Sequence, residues 1–336
     1  MKNKPILLCF GTRPEWLKIK PLVKLMAKNE YKLLFTGQHP DLLKDINVDY
    51  KIKISKNSNR LDSIISDCMI QFPTNNDFDR VLVQGDTGSA FGCALAAFNR
   101  KLKIYYLEAG LRSRDLEHPY PEEGYRQMIA RISDVNFAPT SISAKNLFEE
   151  KTNGYTFIVG NSVLDNLLEY KDKCEYTNKV LITLHRRENH HWIDQWFNKI
   201  NKLAQSNPDL EFILPIHPNP NVLKHKHLLN NIKVVEPLSH SKLLDILVKC
   251  KLVISDSGGL QEEGAFLNKK VIVCRETTER PEAIYTGHLF LCKTPNNLEE
   301  IFGEINKNPY INVECPYGRG NTSNLVYNIL RGEKGI

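Results

Sequence analysis

No two of the eight cysteines form a CxxC pair, and no apolar run approaches the ~20 residues that a membrane-spanning helix needs. The first absence argues against a zinc module, and thinly spread cysteines in a chain of 336 residues argue against a disulfide framework. Cys9, Cys274 and Cys292 lie in apolar strand-like runs and Cys93 in a small-residue helix, which reads as buried reduced thiols and a cytoplasmic protein. Neither His185 nor His217 has a metal-ligand spacing, and His190-His191 reads as a solvated turn. There is no short-period repeat and no low-complexity tract. Clustered basic and aromatic residues, as a nucleic-acid groove would need, are also missing. The 45 basic residues exceed the 39 acidic ones by only six and are spread along the chain, which suits a phosphorylated small ligand better. The opening MKNKPILLCFGTRPE is too short in apolar residues for a signal peptide and reads as a first strand.

What is present is an alternation of strand-like and helical runs, the pattern of doubly wound α/β sheets. The length is about twice that of a usual single domain, so two domains are expected. In the first half, strands are predicted at Ile6–Phe10, Tyr31–Thr36, Arg80–Gln84, Ile104–Glu108 and Val135–Ala138, with helices such as Leu17–Lys28 and Ser89–Asn99. In the second half they fall at Val180–Leu184, Glu211–Ile216, Val234–Glu236, Leu252–Ser255 and Val271–Cys274, with helices near Asp194–Ser206, Ser241–Cys250 and Gln261–Asn268. The stretch from Asn153 to Thr177 reads as the connection, with the domain boundary near residue 166.

Unusual residues gather where such sheets place ligands, after the carboxyl ends of strands. GTRPE at 11–15 offers a glycine turn, Arg13 as a phosphate-capable fork and Pro14 opening a helix, with Lys18 near its N-terminal end. Asp86 follows the strand RVLVQ, Glu108 ends YYLE, and Glu122 and Glu123 open a helix after HPYP. Carboxylates converging from separate strand ends are what removal and return of a proton at carbon requires. His185-Arg186-Arg187-Glu188 follows VLITL, and His217 in LPIHPNPN has the same placement. In SDSGGLQEE, Ser257, Gly258 and Gly259 form a strand-to-helix turn ahead of a helix whose bare N–H groups attract anions. RETTERPEA adds Arg275, Thr277, Thr278, Glu279 and Arg280 after another strand. Hydroxyls, backbone amides and cations of this kind suit a nucleoside diphosphate.

GTRPE, GQH, QGDT, EAGLR, PEEGYR, FAPT, GNSVLD, HRREN, HPNPNV, SDSGGLQEE and TTERPEA cover nearly the whole chain, and in this order they resemble the UDP-N-acetylglucosamine 2-epimerases of the non-hydrolysing branch. The resemblance implies two Rossmann-like domains in the glycosyltransferase type B (GT-B) arrangement, with the active site in the interdomain cleft. Residues 1–165 would form the first domain, 166–317 the UDP-binding domain, and a final helix at about 318–336 would return to the first. It also implies a homodimer, a UDP-N-acetylhexosamine as substrate and no cofactor. The reaction implied is anti-elimination of UDP to a 2-acetamidoglucal, then re-addition with C2 protonated from the opposite face, in the making of surface polysaccharide or glycan precursors. Asp86, Glu108 and Glu122 match the family's catalytic carboxylates and His185 its histidine. Arg13, His217, Ser257, Gly258, Gly259 and Glu263 match UDP-contacting positions, Glu263 as the partner of the ribose hydroxyls. Lys18, Arg275 and Arg280 are placed with them on the residue reading above.

Relatives activated by their own substrate bind it with the GQH segment and the HRRE arginines, here Gln38, His39 and Arg186. Pro40-Asp41 and His190-His191-Trp192 depart from that pattern, and QGDTGSA replaces a threonine-rich run. The first departures leave substrate activation open, and the last leaves open the C4 and C6 groups of the UDP-N-acetylhexosamine, a 6-deoxy sugar included. The rival readings are a GT-B glycosyltransferase, which needs no acid/base set at C2, and a non-catalytic nucleotide-sugar sensor.

Overall fold

The structure, a computed structural model, describes residues 4–40, 46–56, 59–74 and 77–332. They divide into two compact units, one running to Asn166 and resumed from Gly318, the other spanning Leu167–Tyr317. No helix among the described residues is long and apolar enough to cross a membrane.

The first unit holds β1 (Ile6–Phe10), α1 (Arg13–Leu25), β2 (Tyr31–Phe35), β3 (Tyr50–Lys51), α2 (Arg60–Ile70), β4 (Arg80–Gln84), α3 (Gly88–Asn99), β5 (Lys103–Leu107), α4 (Glu122–Ile132), β6 (Val135–Ala138), α5 (Ser141–Glu149) and β7 (Tyr155–Ile158). The described strands form a seven-stranded parallel sheet in the order β3-β2-β1-β4-β5-β6-β7. Apolar clusters cover both faces, one centred on Leu7, Val81, Val83 and Tyr106, the other on Leu8, Phe10, Leu82 and Phe137. Alternate residues of one strand thus enter opposite cores, which is why the strands are apolar throughout.

The second unit holds α6 (Leu168–Lys171), β8 (Lys179–Thr183), α7 (Ile193–Ser206), β9 (Glu211–Pro215), α8 (Pro220–Leu223), β10 (Lys233–Val235), α9 (His240–Leu247), β11 (Cys250–Ser255), α10 (Gly258–Phe266), β12 (Val271–Val273), α11 (Glu282–Tyr285), β13 (Leu289–Leu291) and α12 (Leu298–Lys307). Its described strands form a six-stranded parallel sheet, β10-β9-β8-β11-β12-β13. α13 (Thr322–Arg331) belongs to the first unit, where Asp165 accepts from Thr322 N at 3.1 Å and Ser323 N at 2.7 Å. That carboxylate caps the helix from a distance, since Asn321 at the cap position uses no side-chain bond.

The expected α/β class with two Rossmann-like doubly wound domains is what the structure shows. Most differences are of extent. α1 begins at Arg13, before the expected Leu17, because Thr12 and Glu15 make a capping box and Pro14 fits the first turn. α10 begins at Gly258, before the expected Gln261. Glu108 lies one residue beyond β5, not in it. The connection expected from Asn153 to Thr177 in fact opens with an edge strand, β7. Cys9, Cys93, Cys274 and Cys292 are buried and free, as their apolar settings predict.

In each sheet the strand order reverses at one place, between β1 and β4 and between β8 and β11. Ligands of open α/β sheets bind outside the strand ends at such points. Gly11, Thr12 and Arg13 follow β1, Gly85 and Asp86 follow β4, His185 and Arg186 come just after β8, and Asp256 and Ser257 follow β11.

Candidate active site

In the first unit the acids Glu108 and Asp86 each sit against a cationic side chain. Glu108 has φ 70°, a left-handed backbone that a non-glycine residue seldom adopts and that turns it out of the strand line. Its two carboxylate oxygens each lie 2.5 Å from Lys18 Nζ, and one also accepts from Gln84 Nε2. Oε2 lies 3.7 Å from where a Cβ on Gly85 would stand, so the carboxylate rests over the turn that carries Asp86. Lys18, expected among the UDP-binding residues, pairs with this acid, since a half-buried carboxylate needs a countercharge.

Asp86 Oδ2 receives both Nε and Nη2 of Arg126, at 2.7 and 2.6 Å. Behind that arginine the fully buried Glu123 takes Nη1 at 3.4 Å and the backbone N–H groups of Ser113 at 2.9 Å and Arg114 at 3.3 Å. Glu123 is thereby a structural member of α4, while its neighbour Glu122 is only partly buried. Glu15 is also buried. Its carboxylate receives Gly11 N at 2.7 Å, Thr12 N at 2.6 Å and Thr87 Oγ1 at 2.6 Å, lashing the loop after β1 to that after β4. Burial raises its pKa, with these hydrogen bonds opposing. Arg13 points outward and has no hydrogen bond or ion pair among the described residues. Gln38 Oε1 accepts from Ser89 Oγ at 2.6 Å, and His39 is an exposed residue whose pKa is lowered by its partial burial and by Arg60.

In the second unit, His185 stacks on His217 with centroids 5.0 Å apart and planes 9° from parallel. Burial lowers the pKa of His185, with Asp256 pulling the other way. Gly258 is buried, and a Cβ there would stand 3.2 Å from Arg280 Nη1 and 3.3 Å from Arg186 Nη2. Gly259 has open space on its Cβ side. Ser257 occupies the N-cap position of α10 but its side chain caps nothing. Arg275 and Arg280, expected among the UDP-binding residues, each meet buried or half-buried acids: Arg275 pairs with Glu188 at 2.8 Å and Glu279 at 3.1 Å, and Arg280 with Glu262 at 2.6 Å and with Glu279. Buried guanidinium groups require such partners. Arg186 has none: its side chain makes no hydrogen bond or ion pair among the described residues, and burial, reinforced by Arg275, pulls its pKa down. An anion arriving beside Gly258 would relieve that charge. Glu263 is bonded to His240 Nε2 at 2.8 Å.

Five participants escape the sequence reading: Gln84, Arg126, Asp256, Glu15 and His240. Gln84 and Asp256 do end or follow apolar strands, the signal that singles out Asp86 and Glu108. Arg126 and His240 sit on helices and carry no such mark.

Fold and residues together define a class: a two-domain Rossmann-like protein with acids after the strands of one domain and a glycine-opened helix beside Arg186 on the other. The family model for UDP-N-acetylglucosamine 2-epimerase matches residues 24–331. A UDP-N-acetylglucosamine 2-epimerase of Campylobacter jejuni is 37% identical, over 97% of each chain. A crystal structure of UDP-GlcNAc 2-epimerase from Neisseria meningitidis bound to UDP-GlcNAc superposes with a TM-score of 0.86 at 32% identity, covering 98% of this chain and 100% of that one. An S. aureus MnaA–UDP co-structure gives 0.85 at 31%, covering 98% and 96%. The chain belongs to the UDP-N-acetylglucosamine 2-epimerase family.

Proposed function

We propose that the protein interconverts UDP-N-acetylglucosamine and UDP-N-acetylmannosamine, or a pair modified at C4 or C6, without net hydrolysis, supplying precursors for surface polysaccharide or other glycans. A carboxylate takes the C2 proton while the C1–O bond to UDP breaks, leaving a C1=C2 glucal and UDP. UDP then returns to C1 as a second acid protonates C2 on the opposite face. Asp86, Glu108 and Glu122 are the carboxylates for this work, and His185 acts at the leaving or returning phosphate. Arg13, Arg186 and the N–H groups of Gly258 and Gly259 would hold the diphosphate, with Ser257, His217 and Glu263 on the nucleotide. Arg275 and Arg280 shape that pocket through their carboxylates, and Lys18 serves Glu108. No step calls for a metal or nicotinamide.

The observation that carries this reading is the setting of Glu108. Its left-handed turn, with Lys18 and Gln84 on its oxygens, is a costly way to hold an acid, which a glycosyltransferase acting at C1 would have no use for. The test is incubation with UDP-N-acetylglucosamine in D2O without added metal or cofactor, followed by NMR. Deuterium should enter at C2, UDP-N-acetylmannosamine should appear, and little free UDP should accumulate. Absence of exchange across a panel of UDP-N-acetylhexosamines, 6-deoxy sugars included, would overturn the proposal.

We infer also that two copies associate. α3 and α4 present an apolar groove of about 510 Å³ lined by Phe91, Leu95, Met128 and Ile132, with Met128 43% exposed. Exposed apolar surface of this kind favours a partner. Light scattering should give the mass of a dimer, and L95E/M128E should halve it; an unchanged mass for that variant would place any interface elsewhere.

A further inference from the structure

Asp256 is a fully buried acid at the strand-order reversal of the second sheet, directly after β11. Its Oδ2 is crowded with donors: His185 N at 2.9 Å, Arg186 N at 2.8 Å and Asn189 Nδ2 at 3.1 Å. Asn189 is itself pinned to the Cys274 carbonyl at 2.9 Å, so the turn after β8 is built around this one oxygen. The other oxygen, Oδ1, is buried and has no hydrogen-bond partner among the described residues. It faces His185 Nδ1 at 3.6 Å. A buried carboxylate oxygen without a donor is costly, and the neighbouring imidazole nitrogen is the group within reach that can supply one.

We propose that Asp256 is a positioning residue for His185, holding the imidazole in the tautomer protonated at Nδ1 and so leaving Nε2 bare toward the substrate. The proposal rests on the reading of His185 as the histidine of the reaction. The two ring nitrogens of a histidine are distinguished by the bond one of them makes, and a buried acid behind the ring is the usual device. His217 fits the same picture with the opposite tautomer. Its Nδ1 accepts from Asn219 N at 3.2 Å, so a neutral His217 carries its proton on Nε2. The stacked ring also limits rotation of His185 away from Asp256. The titratable and charged groups facing His185 are Asp256, His217, Arg186 and His190, and Asp256 alone among them favours the charged imidazole. Removing its charge therefore lowers the pKa of His185.

The first measurement needs no variant of Asp256. Long-range proton–nitrogen NMR of protein labelled in its histidines, without substrate at neutral pH and assigned with His185→Gln, should show His185 protonated at Nδ1. Protonation at Nε2 in the unaltered protein overturns the proposal, whatever the enzyme's activity. Asp256→Asn keeps an oxygen for the backbone N–H groups but removes the charge. It should shift the tautomer toward Nε2–H, lower kcat by ~10²-fold or more with KM little changed, and move the pH limb that titrates with His185 toward acid. A variant that loses thermal stability while tautomer and pH limb stay in place shows a purely structural residue and sinks the idea. Failure of the epimerase reading would look different: no exchange at C2 for any sugar, with the tautomer as proposed.

Discussion

Glu108→Gln is expected to slow deuterium entry at C2 by ~10²- to 10⁴-fold while leaving UDP-sugar affinity within about threefold, the range by which a positioned acid or base contributes to catalysis. The amide matches the carboxylate in shape and keeps one accepting oxygen for Gln84 and Lys18, while its NH2 end can no longer accept from the ammonium, so Lys18 must turn to the oxygen alone. What it cannot do is accept a proton from carbon. It also removes the countercharge that Lys18 now meets at 2.5 Å, which adds a local electrostatic cost but leaves the anion-binding groups of the other unit untouched. The effect should therefore fall on kcat. Single-turnover NMR in D2O and direct binding of UDP separate the two quantities. Exchange at the unaltered rate would remove Glu108 from the chemistry. Persistence of a sugar-transfer activity in this variant would point to the glycosyltransferase reading, for which no acid/base at C2 is needed.

What could be read beforehand, and what could not, follows from the range of the interactions involved. β1, β4 and β6 occupy the predicted residues, because a strand buried on both faces announces itself as a short, mainly apolar run. The edge strand β7 does not: its residues are largely exposed and alternate too briefly to mark a strand. The start of α10 is hidden for a different reason, since Gly258 and Gly259 are poor helix formers that read as a turn, although in the fold they are its first residues. The same division applies to the proposed site. Asp86, Glu108 and His185 stand after strand ends and are visible from local pattern. Their supports are not. Gln84 and Glu108 are 24 residues apart, Asp86 and Arg126 40, and His185 and Asp256 71, so each pair exists only once neighbouring strands and helices are in register. The ion pairs of Lys18, Arg275 and Arg280 have this origin too: each is a cation after a strand, and the acid it meets is brought up only by the fold.

Gly110→Ala should be the most damaging of the small substitutions near the site. Gly110 has φ 88°, and a Cβ there would stand 2.2 Å from the carbonyl oxygen of Ser143, 2.8 Å from its carbon and 3.0 Å from Leu147 Cγ. The neighbour cannot yield cheaply, because Ser143 is held in the first turn of α5 by the Thr140 cap at 3.1 Å. Gly110 O is in turn bonded to Asn146 Nδ2 at 2.9 Å. An alanine in the left-handed region costs ~1–2 kcal/mol, and forcing a packed backbone aside adds ~1–3 kcal/mol. For a domain of this size class that sum lowers the melting temperature by ~5–15 °C, measurable by calorimetry or circular dichroism. Gly124→Ala is the control. It lies inside α4 with nothing within 4 Å of its would-be Cβ, and alanine there should be neutral or stabilising by up to ~1 kcal/mol. Equal melting temperatures for the two variants would mean that Gly110 does not pack on α5 as described. If the expected gap is found, activity in Gly110→Ala should fall further than stability accounts for, because Glu108 lies two residues upstream and its left-handed turn is continuous with the segment that must move.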